Sequence, residues 1–376
     1  MYEYKFSILI THSTTSSFRW EGEFTPEIRG PTAFAYSEIL PLPSTIAGVL
    51  AYTAWKGKCV SKGLFDSTKS ILSGILGTKF SIRGPYFYVN TITRNGEVHE
   101  VICLHKYPRK LLCIDASSKK ISYIDAEKSG IHHIGIALRN DAKSVIEGLI
   151  YTQVEFVPRL LAETIVREIV GSNTLVEDYG ILAEIFCSNK DYKESIRNKI
   201  IVAGGESRPS LFKVLDRTPF YEFLEKEWTK ASASNTLLYI ASPIISEYSI
   251  TNCNLSEPLA NPREYVLKYI DKLIGRYLKK KELTVRSYIL DPTKSENSER
   301  HRVVFTIIGL GYDLCLNIPR PLRGSIMPGA LFEATIKDWR QLYIEGIGEY
   351  RELGWGTIVP MPTIILNTLQ PKADKQ

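Results

Sequence analysis

Residues 4–11 read Tyr-Lys-Phe-Ser-Ile-Leu-Ile-Thr. The apolar side chains first alternate and then crowd together, the pattern of an opening strand near the centre of a sheet. Downstream, a loop carries Pro26, Gly30, Pro31, Pro41 and Pro43, and Ser44-Thr45 then precede the run Ile46-Ala47-Gly48-Val49-Leu50-Ala51. A hydroxyl that accepts an otherwise unpaired first-turn N–H marks a helix start, so a helix is expected from about Thr45 to Trp55. Strand-like runs recur at 79–93, 100–114, 119–125 and 150–158, helical ones at 160–170 and 178–188, and a strand at 199–203 meets Gly204-Gly205. A second set follows Lys230: a strand at 236–241, a helix at 262–280, strands near 302–309 and a last one at 357–360. Both sets fit an α+β sandwich in which helices cover one face of an antiparallel sheet, the split βαβ unit being its simplest version. The halves divide at 1–230 and 231–376. Residues 291–300 and the tail after Gln370 are polar and expected to be mobile.

The composition narrows the class of protein. Of 376 residues, 44% are hydrophobic and 23% charged, which excludes wholesale disorder and low-complexity scaffolds. No apolar stretch approaches the roughly 20 residues of a membrane span, and the N-terminus lacks the pattern of a signal peptide, so a cytoplasmic protein without membrane contact is expected. Six scattered cysteines with no C-x-x-C disfavour zinc knuckles and a dense disulfide framework; they are expected to be buried thiols. The net charge of +6 tolerates an anionic partner without requiring one. Cations gather around an aromatic at Arg276-Tyr277-Leu278-Lys279-Lys280-Lys281, with Arg286 beyond, which suits either a solvated helix face or a phosphate-tracking surface.

The sharpest local feature is Gly346-Ile347-Gly348-Glu349-Tyr350-Arg351-Glu352-Leu353-Gly354-Trp355-Gly356. Glycine reaches positive φ cheaply and lets backbone N–H groups approach a ligand, so such a loop can cradle phosphate oxygens with Arg351 adding charge. The bland alternative is a glycine turn packed at a domain interface around Trp355. No Gly-Lys-Ser/Thr follows, and the spacing is not that of a dinucleotide site, so nucleotide hydrolysis has no support. Gly204-Gly205-Glu206-Ser207-Arg208 is a second glycine-led turn; Arg208 there can take a phosphate or pair with Glu206.

These two loops, with Pro43-Ser44-Thr45-Ile46-Ala47-Gly48 and Ile28-Arg29-Gly30-Pro31, resemble the RAMP superfamily of CRISPR proteins, whose members typically end in a glycine-rich loop. The P-S-T-x-x-G helix start and later G-G-E-x-R are similar to the subgroup that caps the 5′ handle of crRNA in type III-B (Cmr) effector complexes. The resemblance spans residues 1 to about 362. It implies two ferredoxin-like domains of RRM topology that bind RNA without cleaving it. The positions matching the family's pattern, and so the implied RNA-binding set, are Arg29, Ser44, Thr45, Gly48, Gly205, Arg208, Gly346, Gly348, Arg351, Gly354 and Gly356. The implied partners are the crRNA 5′ handle, the large polymerase-like subunit and a backbone RAMP subunit. No cofactor is expected.

Other segments invite RNA contacts. Arg83-Gly84-Pro85-Tyr86-Phe87-Tyr88 partly matches an RNP1 strand, although Pro85 and Tyr86 break the pattern and a core strand is the plainer reading. His105-Lys106-Tyr107-Pro108-Arg109-Lys110 reads as an inserted basic hairpin or as a solvated loop. Two alternatives stay open. One is a metal-independent RAMP endoribonuclease processing precursor crRNA, with His12, Tyr36 and Lys56 as its acid and base groups; the other is a purely structural adaptor. Adjacent strand residues face opposite ways, so His132-His133 makes no metal pair, and no metal is assigned.

Overall fold

The computed structural model describes residues 2–18, 20, 34–53, 64–138, 145–192, 196, 198–203, 208–229, 236–249, 284–288, 305–313, 318–336 and 338–361. The N-terminal half runs β1 (Tyr4–His12), β2 (Phe34–Tyr36), α1 (Pro43–Thr53), α2 (Asp66–Leu76), β3 (Phe80–Thr93), β4 (Val98–Lys106), β5 (Lys110–Asp115) and β6 (Ile121–Asp125). It continues with β7 (Gly130–Leu138), β8 (Val145–Phe156), α3 (Pro158–Ile169), β9 (Thr174–Cys187), β10 (Lys199–Val202), β11 (Pro209–Leu215) and α4 (Pro219–Trp228). The C-terminal half holds β12 (Thr236–Ile240), β13 (Ile244–Ser249), β14 (Thr284–Tyr288), β15 (Phe305–Gly309), β16 (Tyr312–Asp313), β17 (Ile318–Pro319), β18 (Leu322–Ile326), β19 (Leu331–Thr335), α5 (Trp339–Glu345) and β20 (Ile358–Met361).

The run in β1 crowds because both faces of its sheet are covered. Phe6, Ile8 and Ile10 point into a core shared with α1, α2 and α3, while Leu9 points into a second core shared with α4 and the C-terminal half. The sheet order is β10-β11-β1-β9-β3-β4-β5-β6, antiparallel throughout. Its four strands β11-β1-β9-β3 take the order of a ferredoxin-like unit, with α1 and α2 making the first crossover. Strands β4 to β8 and α3 are inserted between that unit's second and third strands. The C-terminal half repeats the order as β20-β12-β19-β14, with α5 as its second crossover. The α+β class with ferredoxin-like topology therefore holds. The helix expected at 262–280 lies outside the described residues, as does the 230/231 boundary.

Three sequence expectations need correction. Residues 178–187 of the helix expected at 178–188 belong instead to β9: Ile181, Ala183 and Ile185 face one core and Leu182 and Phe186 the other, so the continuous apolar run reflects a doubly covered strand. Residues 100–114 are two strands closed by a tight turn with a cis Tyr107–Pro108 bond. Cys103 and Cys113, directly opposed across that hairpin, form a disulfide rather than two thiols.

Candidate nucleic-acid interface

The glycine loop leaves α5 and returns as β20, and each of its glycines has positive φ: 62° at Gly346, 95° at Gly348, 99° at Gly354 and 59° at Gly356. A Cβ at Gly356 would run into the Ile347 carbonyl, and one at Gly346 into the Arg83 guanidinium. Six loop N–H groups already donate to protein carbonyls, so the loop is not an open row of free donors. Ile347 N–H donates to Gly356 (2.9 Å), Gly356 to Pro243 (2.8 Å), Glu349 to Ile245 (3.3 Å), Gly346 to Leu342 (3.0 Å), Leu353 to Tyr350 (2.9 Å) and Gly354 to Arg351 (3.0 Å). The glycines thus answer first to packing, around a fully buried Trp355. Their conformations leave the 349–352 segment on the outer side, where Glu349, Tyr350, Arg351 and Glu352 are all partly exposed. Arg351 lies 3.7 Å from Glu345 there.

The predicted helix start lies directly against this loop. A Cβ at Gly354 would sit 3.3 Å from the Pro43 side chain, so the first turn of α1 and the loop abut. Pro43 is buried, Ser44 and Thr45 are half-buried, and the space where Gly48 would carry a Cβ is open. Among the described residues no contact requires glycine at position 48, unlike the loop glycines. Just beyond, Phe65 meets Tyr350 edge to face at 5.1 Å, and Lys69 Nζ stands 4.9 Å from the Tyr350 ring centre. Phe65, Lys69 and Tyr350 were not singled out by sequence reasoning; an aromatic flanked by Gly348 and Gly354 was the available signal.

A buried joint fixes this region to the central sheet. Arg83 and Glu184 are directly opposed on β3 and β9 and both are fully buried. Arg83 donates to the Arg351 carbonyl at 2.7 Å and to Ser81, and burial lowers its pKa to about 10, so it remains charged at neutral pH. No carboxylate among the described residues pairs with it. Glu184 accepts from the Phe220 and Tyr221 N–H groups at the start of α4 (2.7 and 3.1 Å) and from the Tyr343 hydroxyl of α5 (2.7 Å). Burial raises its pKa to about 7 against those three hydrogen bonds, which lower it. Tyr343 and Tyr86 hydroxyls meet at 2.9 Å.

Arg208 stands apart from the loop and is committed elsewhere, donating to both Glu155 oxygens at 2.6 and 2.7 Å. Its described partner is Glu155 on β8; Glu206 lies outside the described residues. Arg29 and Gly205 lie outside the described residues, as do residues 276–281. Residues 83–88 form buried core strand within β3. The 105–110 hairpin is anchored rather than free: Tyr107 N–H donates to Pro328, and His105, itself buried, contacts Glu38 at 3.1 Å. His12 is 2% exposed, and desolvation lowers its pKa to about 4, a backbone hydrogen bond at Ala203 opposing and Arg208 reinforcing the effect. It is neutral and enclosed at neutral pH; Lys56 lies outside the described residues, and only the backbone of Tyr36 is described. Among the described residues no group of three or more His, Cys, Asp or Glu is placed to hold a metal ion, and no helix is long and apolar enough to cross a membrane.

A chain in the cryo-EM structure of the Type III-B Cmr-beta bound to cognate target RNA superposes with a TM-score of 0.51 and 18% identity, covering 96% of this chain and 99% of that one. The chain shares the fold of that chain of the Cmr-beta assembly. A second structure of that assembly, bound to cognate target RNA and AMPPnP, gives a TM-score of 0.47 with 19% identity, covering 96% of this chain and 99% of that one. In sequence, the chain is 35% identical over 81 residues to the CRISPR system CMR subunit Cmr3 of Saccharolobus solfataricus (strain ATCC 35092 / DSM 1617 / JCM 11322 / P2). That alignment takes in 22% of this chain and 26% of the relative, so it spans about a quarter of the relative's length. No protein-family model matches the chain.

Proposed function

We propose that this chain is a non-catalytic, cytoplasmic RNA-binding subunit of a type III-B CRISPR effector complex. In this reading it holds the 5′ handle of crRNA and links it to the large polymerase-like subunit and a backbone RAMP subunit. The observation that carries the reading is the meeting of two separately recognised motifs, the Pro43–Gly48 helix start and the 346–356 glycine loop, at buried Pro43 and Gly354, each with partly exposed residues alongside. Unpaired RNA is held by cations at its phosphates and aromatics against its bases, and both are present beside that junction. Ser44, Thr45, the open position at Gly48 and Arg351 form the described part of the contact set, with Arg29 and Gly205 extending it. The loop glycines shape the surface while their N–H groups close the loop on itself. Arg208 serves this set as a positioning residue that acts through Glu155. The two domains are assigned to 1–230 and 231–376, joined through the buried Arg83 and Glu184 contacts. The burial of His12 weighs against it as the accessible base of the endoribonuclease alternative.

The test is binding of a short repeat-derived single-stranded RNA by the full chain over a salt series. Affinity should fall steeply as salt rises, because several phosphates are neutralised. Flat, weak binding would support the adaptor alternative. RNA recovered intact after incubation in EDTA is also expected, and discrete cleavage lost in His12→Ala would reverse the non-catalytic assignment.

A further inference from the structure

Two aromatic residues beside the glycine loop are held in backbone conformations that side-chain-bearing residues rarely adopt. Phe65 has φ 65° and ψ 8°, and Tyr350 φ 52° and ψ 27°. In this left-handed region Cβ crowds the following carbonyl oxygen, and glycine or asparagine is the usual occupant. Bulky residues persist there when the surroundings over-determine them, and such positions gather at ligand-binding sites. The surroundings are evident: Phe65 is buried within 6.4 Å of Trp355, and the Phe65 and Tyr350 rings meet edge to face. The effect is to hold the Tyr350 ring at the junction of α2 and the loop.

Cations collect around these rings. Arg320 lies 4.4 Å from the Phe65 ring centre and Lys69 4.9 Å from that of Tyr350. Burial raises the Tyr350 hydroxyl pKa, and Arg323 and Lys69 act electrostatically in the opposite sense. Lys69 is also ion-paired with Glu352, and the two side chains are 35% and 32% exposed. Glu349 and Asp66 lie within electrostatic reach of the same ring, so the seat suits one phosphate rather than a tracked backbone.

We propose that Glu352 occupies the place of an RNA phosphate at Lys69. In the bound state the phosphate takes Lys69 from Glu352, and the adjoining base stacks on Tyr350. The inference rests on the RNA-binding reading above and adds to it a base seat with a built-in competitor. A solvent-reachable Lys–Glu pair is of small net worth, so its exchange for a phosphate is cheap. An ammonium is a compact point charge that accepts either anion. An aromatic face accepts any base, so the seat adds affinity more than sequence preference.

The experiment measures fluorescence anisotropy of the full chain with a 3′-labelled, repeat-derived single-stranded RNA, alongside thermal unfolding of each variant. Glu352→Gln removes the competitor and should tighten binding about threefold, in line with a modest surface pair. Tyr350→Asn keeps a residue that tolerates the left-handed backbone but removes the ring, and should weaken binding about tenfold. Tyr350→Phe, which keeps the ring face, should bind within about twofold of wild type. If Tyr350→Asn does not fold, Glu352→Gln and Tyr350→Phe still decide the matter. Wild-type binding with an unchanged Glu352→Gln, or with Tyr350→Phe as weak as a ring deletion, overturns the seat while leaving the RNA-binding reading standing. No RNA binding by wild type overturns both.

Discussion

Replacing Glu184 by glutamine should change how stability depends on pH, by an amount the geometry sets. The carboxyl is fully buried between β9, α4 and α5, with its pKa raised from 4.5 to about 7, desolvation being the largest cause. Below pH 4.5 the group is protonated in both folded and unfolded chains. Between 4.5 and 7 the unfolded chain has released the proton while the folded chain still holds it, so stability falls as pH rises through this window. A gap of about 2.5 pH units corresponds to roughly 3 kcal/mol at most, fully lost above the folded pKa. The groups facing the carboxyl are Tyr343 from α5, the Phe220 and Tyr221 amides and Glu222 from α4, with Tyr86 and the opposed Arg83 from β3. Glutamine can still accept from the two amides and can donate to Tyr343, which turns its own hydroxyl proton toward Tyr86. Glu184→Gln should therefore show no such loss, and the gap between variant and wild type should move in the variant's favour by about 3 kcal/mol from pH 4.5 to 8. Denaturant midpoints measured across that range provide the assay. A difference that stays constant with pH would refute the reasoning.

Further outcomes follow from single sites. Gly48→Ala meets open space on a helix and should leave stability unchanged or raise it by up to about 1 kcal/mol; weakened RNA binding with a retained unfolding temperature would mark position 48 as a contact. Gly356→Ala forces a side chain into the left-handed region and against the Ile347 carbonyl, and should lower stability by at least about 1–2 kcal/mol in thermal unfolding. Arg208→Ala removes the arginine from the buried Glu155, which keeps hydrogen bonds from Thr15 and Gln153, and should cost about 1–2 kcal/mol, with Glu155→Gln added to it restoring part of the loss. Unfolded without reductant, the chain should leave Cys103 and Cys113 resistant to alkylation, and Cys103→Ser should lose about 2–3 kcal/mol on the loop-entropy account.

How much of this was legible in the chain depends on the range of the contacts involved. The alternation in β1 and the Pro-Ser-Thr helix start are local and read correctly. Residues 178–188 misread as helix because a strand covered on both faces loses the two-residue alternation, and only the C-terminal half, far along the chain, supplies the second cover. The glycines at 346–356 announced positive φ, but the reasons for them lie in close neighbours such as Arg83 at Gly346 and the Ile347 carbonyl at Gly356, and a loop that folds onto a buried arginine looks the same in sequence as one that cradles phosphate. Arg208 reads in sequence as a phosphate ligand or a partner of Glu206, and nothing local announces its contact with Glu155, 53 residues away. Helix α4 carried a readable signal, Pro219 at its start and Phe220, Phe223 and Leu224 at helical spacing, whereas α5, at seven residues, is too short for periodicity to register.

The central claim is that the junction of α1 and the glycine loop receives the unpaired 5′ end of the guide. Zero-length photocrosslinking of that RNA to the full chain, with the crosslinked peptides identified by mass spectrometry, tests it most directly. The account predicts adducts within 43–53 and 346–356, Tyr350 foremost. Adducts confined to other segments, with these two unmodified, would contradict it.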